Sequence, residues 1–421
     1  MQAVSDQTPR RAWLVWGLAT TAYLVALFHR VVFGVAGEST ADRLGVTLPA
    51  LGVFTLVQLS MYVVGQIPAG TAADRLGPRR TLLIGLTLMA VGEATFALSH
   101  AFGLALAGRA LVGFGDAMIF VNVLRVAHSW FPERRQALVA ALTAATGGLG
   151  QLAATIPLQV ALADLGWATT FAAVVAFTAL LAVGVWLVVR DRPAGVPAPP
   201  QHAHAPIVQT LRDAARRTGT RHGFCVHASL MAPFAIFTAM WGVPYLQHAQ
   251  GFTHGQAAAL LLVCVAAFTL AMPLVGLVAS RGLRTENRVV VGLGALVAGT
   301  LALLALWPGG TVPRPLLIAG LAVIGIGGSA SIAAFDIARR EAPGHATGAA
   351  VALVNCGGFL SAALGAWVVG LLLPDHAGAL AYAHATLLVP AAIGAVATLA
   401  SARLARRRRA HAAHRRALAV A

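Results

Sequence analysis

The sequence predicts an all-α integral membrane protein of twelve transmembrane helices in two six-helix halves. Three observations lead there. Of the 421 residues, 58% are hydrophobic and only 10% charged, where soluble domains carry about 25% charged residues. Apolar runs of the ~20 residues that span a bilayer recur twelve times along the chain. The basic residues fall almost entirely between those runs, at alternate connections.

The runs lie at about 13–36, 50–72, 81–99, 102–129, 136–160, 168–189, 223–247, 255–279, 288–307, 315–338, 346–373 and 381–402. The first follows Arg10 and Arg11 but is too long for a signal peptide and lacks a small-residue cleavage site, so it reads as a retained helix. All 30 basic residues are arginine, and all but Arg30, Arg43, Arg109, Arg125 and Arg314 sit in the segments that an inside N-terminus would place in the cytoplasm. The positive-inside rule then puts both termini in the cytoplasm, with the inner membrane of a bacterium as the expected location. The polar stretch 190–222, rich in proline and arginine, reads as a cytoplasmic linker between halves at 1–189 and 223–402. The basic tail 403–421 reads as an anchor on anionic lipid.

Several function classes fall away at this stage. The chain has no lysine, so a Walker A loop is excluded, and with it ATP-driven transport by this chain alone. Its net charge of +16 is dispersed in short clusters rather than gathered on one face, which argues against nucleic acid. Cys225, Cys264 and Cys356 form no disulfide framework. His202 and His204 have no carboxylate or cysteine nearby, so no metal site is expected. An intramembrane enzyme is the rival of another class, but His-Glu-x-x-His, Gly-x-Ser-x-Gly and Cys-x-x-Cys are all absent.

The halves echo each other. Gly70-Thr-Ala-Ala-Asp74-Arg75-Leu-Gly77 follows the second run and Gly276-Leu-Val-Ala-Ser280-Arg281-Gly282 the eighth; Gly113-Phe-Gly115 has a counterpart in Gly325-Ile-Gly327. Such repeats of six-helix halves mark secondary transporters.

Gly70-x-x-x-Asp74-Arg75-x-Gly77-x-Arg79-Arg80 resembles the loop 2–3 signature of the major facilitator superfamily, and the resemblance extends over the whole chain. It implies the major facilitator fold. Loop glycines allow tight turns and close helix approach, and arginines hold the loop at headgroups. Gly70, Asp74, Arg75, Gly77, Arg79 and Arg80 are therefore expected to form a cytoplasmic gate, or simply a topology-setting loop. Span four, with Arg109, Gly113, Asp116, Arg125 and Trp130-Phe131-Pro132, looks like the anion:cation symporter branch. In span one His29-Arg30 stands where that branch has Asp-Arg, and Asp116 stands where it has glutamate. The likeness implies that Asp116 carries a coupled proton.

An arginine inside a span costs at least about 2.5–3.5 kcal/mol on insertion scales, so Arg30, Arg109 and Arg125 require counterions, water or substrate. Arg109 and Asp116, seven residues apart, share a helix face, and Arg109 is expected to respond to the charge on Asp116. Arg125, nearer the cytoplasmic end, reads as a gate or interface residue. Arg30 is read as an anion contact or a structural ion pair; if it faces the transport path, His29 points into packing. His227 is a titratable or a packing histidine, Trp241 and Tyr245 are interface aromatics or a substrate clamp, and Asn355 is packing glue or a substrate contact. Asp336, with Arg339 three residues on, defaults to a local ion pair.

The expected function is proton-coupled uptake of a small organic anion by alternating access. A proton-driven drug or metabolite efflux antiporter is the alternative, weakened by the lack of a proline after Gly147-Gly-Leu-Gly150. Expected partners are an anionic small molecule, protons and the bilayer, with no cofactor, no metal and no nucleic acid, for a chain acting as a monomer.

Overall fold

The structure, a computed structural model, describes residues 10–193, 207–279, 283–342, 346–373 and 377–420; the side chain of Asp74 and the side chains beyond residue 408 lie outside that description. Among these residues every regular element is helical. Eleven stretches are long and apolar enough to span a membrane, and one of them, Ala145–Val188, turns back at Gly166, where φ is 74°. Its two limbs complete the expected twelve.

The chain divides into two compact units, 1–201 and 202–421. In the first, span one runs Arg10–Val31 and continues after a break as Phe33–Leu44. Spans two and three are Gly52–Leu76 and Pro78–Leu98. Span four is broken into Phe102–Asp116 and Phe120–Trp130. Span five is Glu133–Ala153 with the first limb of Ile156–Val188, and span six is the limb beyond Gly166. In the second unit the spans are Thr218–Ala249, His254–Ala279, Leu283–Ala305, Arg314–Ala330 with Ala333–Arg339, Thr347–Leu372 and the long helix Ala379–Val420.

Small residues set how closely these helices approach. A Cβ on Gly92 would lie 2.6 Å from the Gly108 carbonyl oxygen, and one on Gly115 2.6 Å from that of Gly85. Spans three and four therefore touch backbone to backbone, in the manner of small-residue membrane interfaces. A Cβ on Gly113 would strike the backbone of Gln58 in span two. The sequence repeat has the same basis: Gly325 abuts the Cys264 backbone of span eight as Gly113 abuts span two.

Two segments depart from expectation. The stretch 190–222 is not all linker: Ile207–Arg216 forms a helix whose Ala214 is fully buried in the core of the second unit, and span seven already begins at Thr218. The tail is not only a lipid anchor. The last helix carries Arg408 back to the unit, where its Nε donates to Glu341 at 2.5 Å and its Nη1 lies 3.0 Å from His222 Nδ1. His202 and His204 lie outside the described residues.

Candidate functional site

The polar residues of the N-terminal unit gather where the helices are broken. Arg30 is the penultimate residue of its helix and Asp116 the last of its own. The Arg30 guanidinium grips the Asp116 carboxylate at two points, Nε to Oδ2 at 2.9 Å and Nη2 to Oδ1 at 2.8 Å. This is the fork-to-fork geometry that only arginine offers a carboxylate. The same guanidinium lies 4.4 Å from the ring centre of Tyr62. The pair is almost closed off, with the side chain of Arg30 10% exposed and that of Asp116 2%.

Beside it lies a second network. Arg109 is fully buried. Its Nη1 donates to Glu93 Oε2 at 2.9 Å, its Nε to Gln58 Oε1 at 3.2 Å, and its Nη2 to the His29 carbonyl at 2.7 Å and to Gln58 Oε1. The guanidinium packs against the rings of Phe33 and Phe96, 4.8 and 5.2 Å from their centres. His29 sits in the same network: its Nδ1 is 2.9 Å from Glu93 Oε2 and its Nε2 3.2 Å from Thr178 Oγ1.

The two charges of span four have different direct partners. Asp116 is held by Arg30, while Arg109 is committed to Glu93, Gln58 and the His29 carbonyl. The cause is the close approach of spans two, three and four. Gly92 precedes Glu93 and Gly108 precedes Arg109, so the contact that brings the two backbones together also brings the ion pair into register. The Arg109 side chain is enclosed, and all three of its guanidinium nitrogens bond within the network. His29 is indeed turned away from solvent, yet it is hydrogen-bonded rather than merely packed. Glu93 and Gln58 received no role from sequence; glycine immediately before a buried charge in two neighbouring spans was the signal available.

The remaining expected residues are spread more widely. His227 is buried between the rings of Phe335 and Phe359, against Gly358. Trp241 and Tyr245 are fully buried. Trp241 donates to the Ala366 carbonyl at 2.9 Å, and Tyr245 meets the edge of Phe237. Both lie where span seven winds as π-helix, over Phe237–Trp241 and Tyr245–Ala249, which shifts the helix face they occupy. Asn355 is partly buried in span eleven, and Arg125 partly buried in the second helix of span four. Asp336 and Arg339 form the expected local pair at 3.4 Å.

In the loop between spans two and three, Gly77 adopts φ 85°, and a Cβ there would lie 2.5 Å from Asp191 Oδ2. The Arg79 backbone N–H donates to Asp191 Oδ1 at 2.7 Å and its side chain to the Trp186 carbonyl, so the loop is fastened to the end of span six. A Cβ on Gly70 would meet nothing within 4 Å; close approach, expected there, occurs at Gly77 instead. Arg75 and Arg80 are exposed, and the side chain of Asp74 lies outside the described residues.

A family model for the Major Facilitator Superfamily matches residues 18–366. The chain belongs to the Major Facilitator Superfamily. It is a multi-pass membrane transporter and not an enzyme. Over 194 residues it is 24% identical to a probable L-galactonate transporter of Escherichia coli (strain K12), covering 44% of this chain and 43% of that protein. Over 153 residues it is 30% identical to a putative glycerol-3-phosphate transporter 3 of Arabidopsis thaliana, covering 35% of this chain and 30% of the relative. The chain thus matches less than half the length of either relative. Among solved structures, a bacterial homologue of the human lysosomal transporter Spinster, inward-facing and unoccupied, aligns with a TM-score of 0.69 at 15% identity, over 95% of this chain and 98% of that one, a likeness of fold.

Proposed function

We propose that this superfamily member carries a small organic anion across the membrane together with a proton, with Arg30 as the anion contact and Asp116 as the proton carrier. The observation that supports this reading is the two-point grip of Arg30 on Asp116. An anion entering a low-dielectric site must exchange its water for fixed donors, and a guanidinium fork matches a carboxylate or phosphate. In the resting chain that fork already holds a carboxylate. Substrate and Asp116 are therefore alternative ligands of one arginine. Protonation of Asp116 cancels its charge and frees the fork, so anion and proton enter together. The relatives' names point the same way, since galactonate and glycerol 3-phosphate are both anions.

Within the second unit, taken by itself, Asn355 is proposed as a polar residue open to a substrate, and His227, Trp241 and Tyr245 shape that unit's interior. The loop Gly70–Arg80 with Arg125 serves as a gate at the arginine-rich end, which the charge distribution assigns to the cytoplasm of a bacterial cell. The proteoliposome experiment uses labelled L-galactonate and glycerol 3-phosphate. An inward proton gradient should drive wild-type accumulation of at least one of them. Asp116→Asn should lose that accumulation while still exchanging internal for external substrate. Outward, gradient-driven loss of an organic cation, with no anion uptake, would instead establish the efflux alternative.

A further inference from the structure

Arg30 stands at the end of a helix, where the backbone is held least. The last four carbonyls of a helix have no partner within it, and His29, the residue before Arg30, is third from the end of Arg10–Val31. Its carbonyl is held from two other spans, by Gln58 Nε2 at 3.2 Å and by Arg109 Nη2 at 2.7 Å. Gln58 is 2% exposed and uses both ends of its amide. Its Oε1 accepts from Arg109 Nε at 3.2 Å and from Arg109 Nη2. A guanidinium can donate but not accept, so the amide oxygen must face Arg109 and the amide nitrogen the His29 carbonyl. The backbone of Gln58 is itself seated against span four at Gly113, where a Cβ would strike it.

We propose that Gln58 is a positioning residue of the transport site: its amide fixes the His29 peptide, and through it the direction in which Arg30 presents its fork. The His29 carbonyl and the Arg30 nitrogen belong to one rigid peptide plane. A donor that pins the carbonyl therefore pins the point from which the Arg30 side chain starts. Bidentate recognition of a carboxylate or phosphate needs the fork in one orientation, and a long side chain that must first be ordered loses affinity to that ordering. Gln58 removes part of this loss in advance, because Arg109, held by Glu93 at 2.9 Å, in turn fixes the amide. The action of Gln58 on an anion passes through the His29 peptide.

This inference rests on Arg30 contacting the anion as proposed above, and its test separates the two. Gln58→Met keeps the side-chain volume but has no donor for the His29 carbonyl. It should bind L-galactonate about tenfold more weakly in titration calorimetry, the worth of one hydrogen bond. In an Arg30→Lys background, where the fork is already gone, the same substitution should cost no more than about twofold; a residue that merely supports the fold would weaken both backgrounds alike. Equal losses in the two backgrounds, or wild-type affinity in Gln58→Met, overturn the proposal. Wild-type affinity in Arg30→Lys, or no binding by the wild type, would count against the anion reading instead. The orientation of Arg30 is then decided without ligand, by nitrogen NMR of arginine-labelled protein in liposomes, with the Arg30 Nε–H signal identified by its loss in Arg30→Lys. The wild type should show that N–H protected from exchange by its bond to Asp116, and Gln58→Met should lose the protection. Unchanged protection overturns the proposal whether or not an anion binds. If Gln58→Met does not fold, Gln58→Glu takes its place: it keeps an oxygen for Arg109, turns a second oxygen towards the His29 carbonyl, and should show the same losses.

Discussion

Arg30 and Asp116 stand 86 positions apart in sequence and meet at two hydrogen bonds of 2.9 and 2.8 Å. Because both bonds depend on a planar fork, replacing arginine by lysine keeps the charge and loses the geometry. Arg30→Lys is expected to express normally and to weaken anion binding about 10- to 100-fold, the value of a hydrogen bond to a charged group. Titration calorimetry on the purified variant checks this; wild-type affinity would assign Arg30 a structural role only.

Arg109 and Arg339 test how far burial decides the worth of an ion pair. Removing Arg109 leaves Glu93 charged and enclosed, so Arg109→Leu is expected to cost about 3–5 kcal/mol of stability. The Arg339–Asp336 pair is roughly half exposed on both sides, and Arg339→Ala should cost less than about 1 kcal/mol. Unfolding in a fixed detergent provides the comparison. Adding Glu93→Gln to Arg109→Leu should recover part of the loss; equal, small effects of the two arginine variants would mean that the buried network is not closed as described.

Helix contact through Gly108 makes a steric prediction. A Cβ there would lie 2.6 Å from the Gly92 carbonyl oxygen and 2.7 Å from the Phe96 backbone nitrogen, neither of which can move without parting the helices. Gly108→Val should abolish the monodisperse peak in size-exclusion chromatography. At Gly292 a Cβ would meet nothing within 4 Å, so Gly292→Ala should be neutral or raise stability by up to about 1 kcal/mol. A well-folded Gly108→Val would remove the contact between spans three and four from this description.

The loop at Gly77 offers a kinetic test. Its φ of 85° suits glycine and strains any other residue, and a side chain would also displace Asp191. Gly77→Ala should slow transport in both directions with little change in substrate affinity. A large loss of affinity with normal turnover would place this loop at the binding site rather than at a gate.

Much of the fold was legible because the bilayer constrains the sequence so tightly. Spanning runs, arginine placement and the Gly113/Gly325 repeat all follow from length, charge and close packing. The chemistry was legible only as single residues. Arg30, Arg109 and Asp116 stand out as costly charges in apolar runs, yet a helix wheel reports direction within one helix and says nothing of partners on another. Arg109 and Asp116 share a face, but Glu93 and Gln58 reach Arg109 across glycine contacts, and Arg30 reaches Asp116 where two helices break. His29 stood only as a departure from the Asp-Arg pair of the branch the chain resembles; that its ring lies 2.9 Å from Glu93 of span three is a matter of packing between helices. Arg408 likewise read as one arginine in a basic tail, because the helix that returns it to Glu341 has no signal beyond continued helical propensity.

Proton uptake on ligand binding decides whether Arg30 exchanges Asp116 for substrate. Purified protein in weakly buffered solution is mixed with glycerol 3-phosphate or galactonate while a pH indicator records protons taken up. Wild-type protein should take up close to one proton for each anion bound, and Asp116→Asn should bind with none. Binding by the wild type without proton uptake, or equal uptake by Asp116→Asn, would contradict the exchange.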